Sequence, residues 1–159
     1  MNPCGLLMEH SHFEVGINAI ADAFSGTVST DVVSMRDHVS VRFIVHWGVG
    51  VTGTTTLTVE ACDDVVPTNT SAIPFWYRKM VGAAAPSAIS AVAATGQLTT
   101  AGSNQVVEVE VKAEQLSASG YGFVRLTAVE SVDSPLLGGV LIEMGKPRYP
   151  GRIPLTATA

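Results

Sequence analysis

Hydrophobic and polar residues alternate with a period of two along most of this chain, which predicts β-strands rather than helices. In the segment HVSVRFIVHW, residues 38–47, Val39, Val41, Phe43, Val45 and Trp47 share one face, and mostly polar residues occupy the other. TTTLTVEAC (54–62) and QVVEVEVKA (105–113) alternate in the same way. Each of these segments predicts a strand with one face in a core and one face in solvent.

Further strands are predicted by YGFVRLTAVES (121–131), GGVLIEMG (138–145) and AIPFWYRKM (72–80), and more weakly by GTVSTDVVSM (26–35) and SAISAVAAT (87–95). GGVLIEMG is almost continuously apolar, which is typical of a central strand. Pro74 suits the edge or the start of a strand. About eight strands without a long helix predict an all-β fold: a single-domain antiparallel β-sandwich, jelly-roll-like, with extended terminal arms.

The two ends of the chain differ from its middle. We assign residues 1–25 to an N-terminal arm, 26–144 to the β-sandwich domain and 145–159 to an extended proline-rich tail. The segment EVGINAIADAF (14–24) is compatible with a short helix or with an extended arm. The tail GKPRYPGRIPLTATA contains three prolines and cannot build a core of its own.

Composition favours a protein that buries surface in an assembly. Charged residues make up 14% of the 159 residues, where about 25% is typical. The net charge of −5 argues against general nucleic-acid binding, and no apolar run is long enough to span a membrane. Residues 1–35 contain no Lys or Arg, and residues 145–159 contain no acid, so the two ends could pair within one subunit or between neighbours.

HWGVGVTGTT (46–55) contains the G-x-G-x-x-G spacing of a dinucleotide-binding turn at Gly48, Gly50 and Gly53. That motif needs a helix after the glycines, because the pyrophosphate sits at the helix N-terminus. Here a run of threonines that predicts a strand follows instead. We therefore expect a loop between two strands, whose glycines provide positive φ angles and close backbone approach, and no cofactor.

CDDVVPTNT (62–70) offers oxygen atoms from Asp63, Asp64, Thr68 and Asn69. Calcium takes six to eight oxygen ligands, so this segment could contribute to a calcium site. Alternatively, the Asp and Asn side chains satisfy the backbone of a turn.

Little else indicates catalysis or metal binding. The sequence places no histidine near Cys62 that would activate it, and two cysteines do not make a disulfide framework, so a reducing compartment is the default. His10 and His12 could start a zinc site, but the spacing supplies no third or fourth ligand. We therefore expect no enzyme, no catalytic residue and no bound metal.

PFWYR (74–78) is the densest aromatic cluster. On a strand, Phe75 and Tyr77 face one way, and Trp76 and Arg78 face the other. Trp with Arg is typical of an interface anchor, and an exposed Trp can also stack on sugar rings. A third interpretation is that both faces are buried in the core.

LTVEACDDVVPTNTSAIPFWYRKM, TTAGSNQVVEVEV, GYGFVRLTAVE and SPLLGGVLIEMGKPRY together resemble head decoration, or cement, proteins of tailed bacteriophages, over residues 57–149. The resemblance implies a β-sandwich, often a jelly roll, on the outer surface of the capsid. It implies no enzyme activity. The partners expected from it are the major capsid protein and further copies of the chain, as a homodimer or homotrimer, in a virion assembled in the host cytoplasm.

The expected function is therefore structural: β-sandwich bodies bridge capsid subunits and stabilise the shell. The alternative is a carbohydrate-binding module of a phage tail or fibre, with Trp76 and Tyr77 as the sugar platform. The candidate interface residues are Trp76, Arg78, Val49, Val51, Lys146, Arg148, Tyr149 and Arg152.

Overall fold

The computed structural model describes residues 11–148, and nearly all of its regular structure is β-strand. In chain order the strands are β1 Ser11–Ile20, β2 Thr27–Ser29, β3 Val33–Ser34, β4 His38–Trp47, β5 Thr54–Cys62, β6 Thr70–Ile73, β7 Phe75–Val81, β8 Ser90–Val92, β9 Gln97–Leu98, β10 Gln105–Lys112, β11 Phe123–Val132 and β12 Gly138–Pro147. A short 3-10 helix, Ala113–Leu116, follows β10.

The strands form two antiparallel sheets that pack face to face, which confirms the predicted β-sandwich. Sheet A has the order β1-β12-β4-β10-β7-β8, and sheet B has the order β2-β11-β5-β6 with β3 beside β11 and β9 beside β5. The connections β1 to β2, β4 to β5, β10 to β11 and β11 to β12 each cross from one sheet to the other. This order is that of a jelly roll, with β7 and β8 extending sheet A beyond β10.

The core lies between the sheets and follows the predicted alternation. The buried residues of β4, β5 and β10 that follow this alternation are Val41, Phe43, Val45, Trp47, Leu57, Val59, Ala61, Val107, Val109 and Val111. Val39 is an exception, because it is 42% exposed at the end of β4, where it lines a groove beside the 3-10 helix. The nearly apolar β12 is central in sheet A, as predicted, between β1 and β4.

The N-terminal part of the sandwich begins earlier than the sequence indicated. Residues 11–20 form β1, which pairs with β12 from Ser11 opposite Gly145 to Ile20 opposite Gly138, so the helical interpretation of 14–24 is wrong. Pairing with β12 satisfies the backbone N–H and C=O groups along one side of β1. A short helix over the same residues would leave the backbone groups of its two ends without intrahelical partners. After β1 the chain turns into the core, where the Phe24 ring lies edge-on to Trp47 at 6.4 Å. The sandwich therefore includes part of the assigned arm, and β12 reaches into the assigned tail.

Pro74 marks the point where the chain passes from sheet B to sheet A. It lies between β6 and β7, so it interrupts no ladder, and it precedes the first residue of β7. Phe75 and Tyr77 are buried in the core, whereas Trp76 is exposed on the opposite face of sheet A. The predicted division of the aromatic cluster into two faces is thus confirmed.

Candidate interaction surfaces

The glycine segment 48–53 joins β4 to β5 as a loop that two other loops hold in place. The Gly48 N–H donates to the Leu137 carbonyl at 2.8 Å, and the Leu137 N–H donates to the Val49 carbonyl at 3.1 Å. On the other side, the Asn104 N–H donates to the Gly48 carbonyl at 2.6 Å. Trp47 fixes the start of the loop through its Nε1–H, which donates to the Gly102 carbonyl at 2.9 Å.

The glycines of this loop are explained by close packing and not by backbone dihedral angles. None of Gly48, Gly50 and Gly53 has a positive φ, so that part of the prediction is wrong. A Cβ at Gly53 would lie 2.5 Å from the Ser134 carbonyl oxygen, and one at Gly50 would overlap the Leu136 side chain. The neighbouring loop approaches so closely that side chains are excluded at Gly50 and Gly53.

The loop presents an apolar tip, formed by Val49, Val51 and Leu137. Val49 is 63% exposed and Val51 is 74% exposed, while Leu137 is hydrogen-bonded to the backbone of Val49. We call these three residues the loop tip. It lies at the far end of β4 from Lys146 and Arg148. These two residues flank Pro147, which pairs with His38, about 30 Å away at the rise of a ten-residue strand.

The outer face of sheet A, which points away from sheet B, carries the second set of candidates. The strand registers place one row of residues across five neighbouring strands: Phe13, Glu143, Arg42, Glu110 and Trp76. The next row is Val15, Leu141, Ile44, Glu108 and Arg78. The first row is apolar at β1 and charged from β12 to β10, and it ends on the indole of β7. The second row is apolar from β1 to β4 and charged at β10 and β7.

A chain of ion pairs occupies the middle of this face. Arg42 donates through Nε and Nη2 to Glu143 and through Nη1 to Glu108 at 3.4 Å. Arg78 donates through Nε to the other oxygen of Glu108 at 2.5 Å, and this hydrogen bond raises the pKa of the guanidinium above its ordinary value. Arg78, predicted as an interface residue, is therefore already paired within the subunit.

Glu110 is the carboxylate of this row that the ion-pair chain leaves out. It makes no hydrogen bond or ion pair with any residue between 11 and 148, although its charge acts on Arg78. Its cross-strand neighbour on β7 is Trp76, whose side chain is 40% exposed. Together with Ile89, these residues line a groove of about 210 Å³.

A second groove, of about 510 Å³, adjoins the first, because Glu110 lines both. Its basic residues are Lys112, Lys146 and Arg148. Lys112 lies 3.7 Å from Glu114, whereas Lys146 and Arg148 are exposed and have no ion-pair partner within residues 11–148. The structure thus brings Trp76, Arg78, Lys146 and Arg148 to one face. Tyr149 and Arg152 lie outside the described residues.

Sequence reasoning missed the importance of Glu110, Arg42, Glu108 and Glu143. The alternation in VEVEVK placed Glu108 and Glu110 on the polar face of β10, which was the available signal. Only the sheet order shows that Arg42 of β4 lies between β10 and β12, because residues 42 and 143 are far apart in the chain.

The acidic side chains after β5 make hydrogen bonds within the turn that contains them. Asp63 accepts hydrogen bonds from the backbone N–H and side chain of both Thr68 and Asn69, at 2.8 to 3.0 Å. These hydrogen bonds, led by those from the Asn69 and Thr68 side chains, hold the pKa of Asp63 well below its usual range. Asp64 accepts from the Val65 N–H at 2.7 Å. Among residues 11–148, no group of three or more His, Cys, Asp or Glu side chains is placed to hold a metal.

Cys62 is fully buried, and its Sγ lies 3.6 Å from the Glu60 carbonyl. Burial raises the pKa of the Cys62 thiol to about 11, so the reactive thiolate is scarce at neutral pH.

A buried polar cluster near the other end of the sandwich was not predicted. His38 is 4% exposed, and among residues 11–148 neither of its ring nitrogens makes a well-formed hydrogen bond. The Glu14 side chain is 10% exposed, and His12 Nε2 lies 3.4 Å from its carboxylate. Burial lowers the pKa of His38, and the backbone of Gly145 and the charge of Asp37 only partly oppose this shift. The alternation of β1 turns His12 and Glu14 toward the interior, which the sequence pattern alone did not reveal.

The chain was compared with protein-family profiles, with curated proteins and with solved structures, and none of them matches it. Within residues 11–148, no helix is long and apolar enough to cross a membrane.

Proposed function

We propose that this chain is a structural protein that decorates the capsid of a tailed bacteriophage and stabilises it by bridging capsid subunits on the outer surface. The observation that carries the proposal is the loop tip, an apolar projection held rigidly by backbone hydrogen bonds. The jelly-roll fold is compatible with this role but does not select it, because capsid and lectin domains both use the fold.

A rigid apolar tip suits docking into a pocket on another protein. The hydrogen bonds of Gly48 and Leu137 hold the loop in one conformation, so little conformational entropy is lost on binding. Full burial of one valine side chain contributes roughly 1.5–3 kcal/mol. A single tip therefore binds modestly, and an oligomer that presents several linked tips to a fixed lattice binds tightly through their effective concentration.

The test is a double substitution, Val49→Ser with Val51→Ser, assayed by co-sedimentation with capsids assembled without this protein. We expect the variant to lose capsid binding while its free energy of unfolding changes by less than about 0.5 kcal/mol, because both side chains are exposed. Val66→Ser is the matched control, since Val66 is 79% exposed in the loop between β5 and β6.

Two results would refute the proposal. One is wild-type protein that does not associate with such capsids at any concentration tested. The other is a double variant that binds them as well as wild type and Val66→Ser do.

A carbohydrate-binding module is the second candidate, and the exposed Trp76 beside Glu110 favours it. An indole face next to a free carboxylate can stack on a sugar ring and accept its hydroxyl hydrogen bonds. Tyr77 does not join this platform, because its side chain is buried on the core side of β7. A glycan array on wild type and on Trp76→Ala decides the matter: binding that disappears in the variant supports this candidate, and an array without signal removes it.

A further inference from the structure

We propose that the outer face of sheet A is a dimer interface on which a second copy packs around a two-fold axis, with Lys146 and Arg148 of each copy reaching the Trp76–Glu110 groove of the other. This proposal does not depend on capsid binding, which we assign to the loop tip.

The charges on this face separate into two complementary parts. Around the ion-pair chain, three carboxylates (Glu108, Glu110, Glu143) accompany two guanidiniums (Arg42, Arg78). The second groove has the opposite balance, because Lys112, Lys146 and Arg148 accompany Glu110 and Glu114. The surplus carboxylate is Glu110, and the surplus cations are Lys146 and Arg148.

A two-fold axis brings these surplus charges together twice. In an isologous interface every contact occurs twice. If one patch of the first copy contacts a different patch of the second copy, the same two patches also meet with the copies exchanged. Glu110 lines the same groove as Lys146 and Arg148, so an axis that passes midway between them places Glu110 of each copy opposite Lys146 and Arg148 of the other. Each surplus carboxylate then meets the surplus cations of the other copy, and the two Glu110 side chains are kept apart.

Trp76 supplies the second part of the recognition. An Arg or Lys side chain near Glu110 also lies against the indole, because Trp76 is the direct cross-strand neighbour of Glu110. Trp gives the most favourable cation–π contacts, and Trp and Arg are enriched in the centres of interfaces. The groove thus offers charge and an aromatic face to one basic side chain.

The size of the face is sufficient for a stable dimer. Five strands spaced about 4.8 Å apart, each contributing seven to ten residues, give roughly 650 Å² per copy. The total of about 1,300 Å² falls within the usual range for specific interfaces. The same packing covers three exposed apolar side chains at the β1 edge: Phe13, Val15 and Leu141.

The test uses two charge-reversal variants of the full chain, Glu110→Lys and Lys146→Glu with Arg148→Glu. Sedimentation velocity over a concentration series at low ionic strength measures the dimer dissociation constant. We expect wild type to dimerise and each variant alone to dimerise at least about tenfold more weakly, because like charges then face each other. Asp133→Lys is the control for the charge change, since Asp133 lies in the exposed loop between β11 and β12.

Mixing the two variants distinguishes pairing between copies from pairing within one copy. In the mixed dimer, the base introduced by Glu110→Lys in one copy faces the acids introduced by the double substitution in the other. The second contact is unchanged, because Lys146 and Arg148 of the first copy still face Glu110 of the second. We therefore expect native mass spectrometry to show heterodimers at close to the wild-type affinity. Pairing within one subunit would give no such rescue. The proposal is overturned by a monomeric wild type, by variants that dimerise like wild type, or by a mixture that forms no heterodimer.

Discussion

The loop tip and the outer face of sheet A expose side chains in two different ways. At the loop tip the backbone defines the shape: Gly48 and Leu137 close hydrogen bonds, and the exposed residues are uncharged. On the outer face the side chains define the surface, through ion pairs that link β12, β4, β10 and β7. One surface is rigid and apolar, and the other is charged and leaves Glu110 without an ion pair among residues 11–148.

This difference predicts different responses to solution conditions. Contacts at the loop tip bury apolar area, so they depend little on ionic strength. Contacts on the outer face depend on exposed or half-buried charges, which salt screens within about 10 Å at 0.1 M. Salt should therefore dissociate the proposed dimer before it weakens capsid binding.

The largest loss of stability is expected from adding a side chain at Gly53, where the loop that carries the loop tip packs against the neighbouring loop. Gly53→Ala places a Cβ 2.5 Å from the Ser134 carbonyl oxygen and 3.0 Å from the Leu136 side chain, so the loops must separate. We expect a loss of about 2–3 kcal/mol in the free energy of unfolding, measured by urea denaturation.

Gly48→Ala is the matched control, because its Cβ would meet only the Leu137 carbonyl oxygen, at 4.0 Å. Its unfolding free energy should change by no more than about 1 kcal/mol. Equal losses in the two variants would show that close approach does not define this loop.

A smaller effect is expected from breaking the ion-pair chain. Arg42→Met leaves Glu143 and Glu108 without their shared cation, and both side chains are largely buried, at 17% and 15% exposed. We expect a loss of about 1–2 kcal/mol in unfolding free energy at low salt, after allowing for the exposure of Arg42 itself.

Arg125→Met on sheet B is the comparison for this substitution. Arg125 pairs with Glu60 alone, and Glu60 keeps a hydrogen bond from Thr127 at 3.1 Å when Arg125 is removed. Its cost should therefore be smaller, below about 1 kcal/mol. If both variants lose the same stability, the linked chain on sheet A has no advantage over an isolated pair.

The smallest effect is expected from pH, at the end of the sandwich opposite the loop tip. Burial lowers the pKa of His38 below its ordinary value of 6.5, so the unfolded chain binds a proton there more readily than the folded chain. This site should therefore reduce stability as pH falls through 6.5, by at most about 1.4 kcal/mol per pH unit.

Urea midpoints at pH 7.5 and pH 5.5 measure the dependence, and His38→Gln should flatten it. A variant whose midpoint falls as steeply as that of wild type would contradict the assignment to His38. The loop tip itself contains no titratable side chain, so Val49→Ser should not alter the pH dependence.

Much of the fold could be predicted because strand periodicity is a local property. Alternation identified β4, β5 and β10 and oriented their core faces, and the threonines after Gly53 predicted the strand that follows them. The outward position of Trp76 followed from the same alternation. β1 was missed because its apolar residues Phe13 and Val15 face outward, while His12 and Glu14 face the interior, which reverses the usual pattern.

The sequence by itself determined which residues lie in strands, which faces those strands bury, and that the glycine segment is a loop. Tertiary structure alone decided which strands are neighbours, and therefore that Arg42 meets Glu143, a residue 101 positions away. It also decided that Lys146, Arg148, Trp76 and Glu110 share one surface. The physical reason is that side-chain periodicity depends on adjacent residues, whereas strand order depends on how two sheets close around a common core.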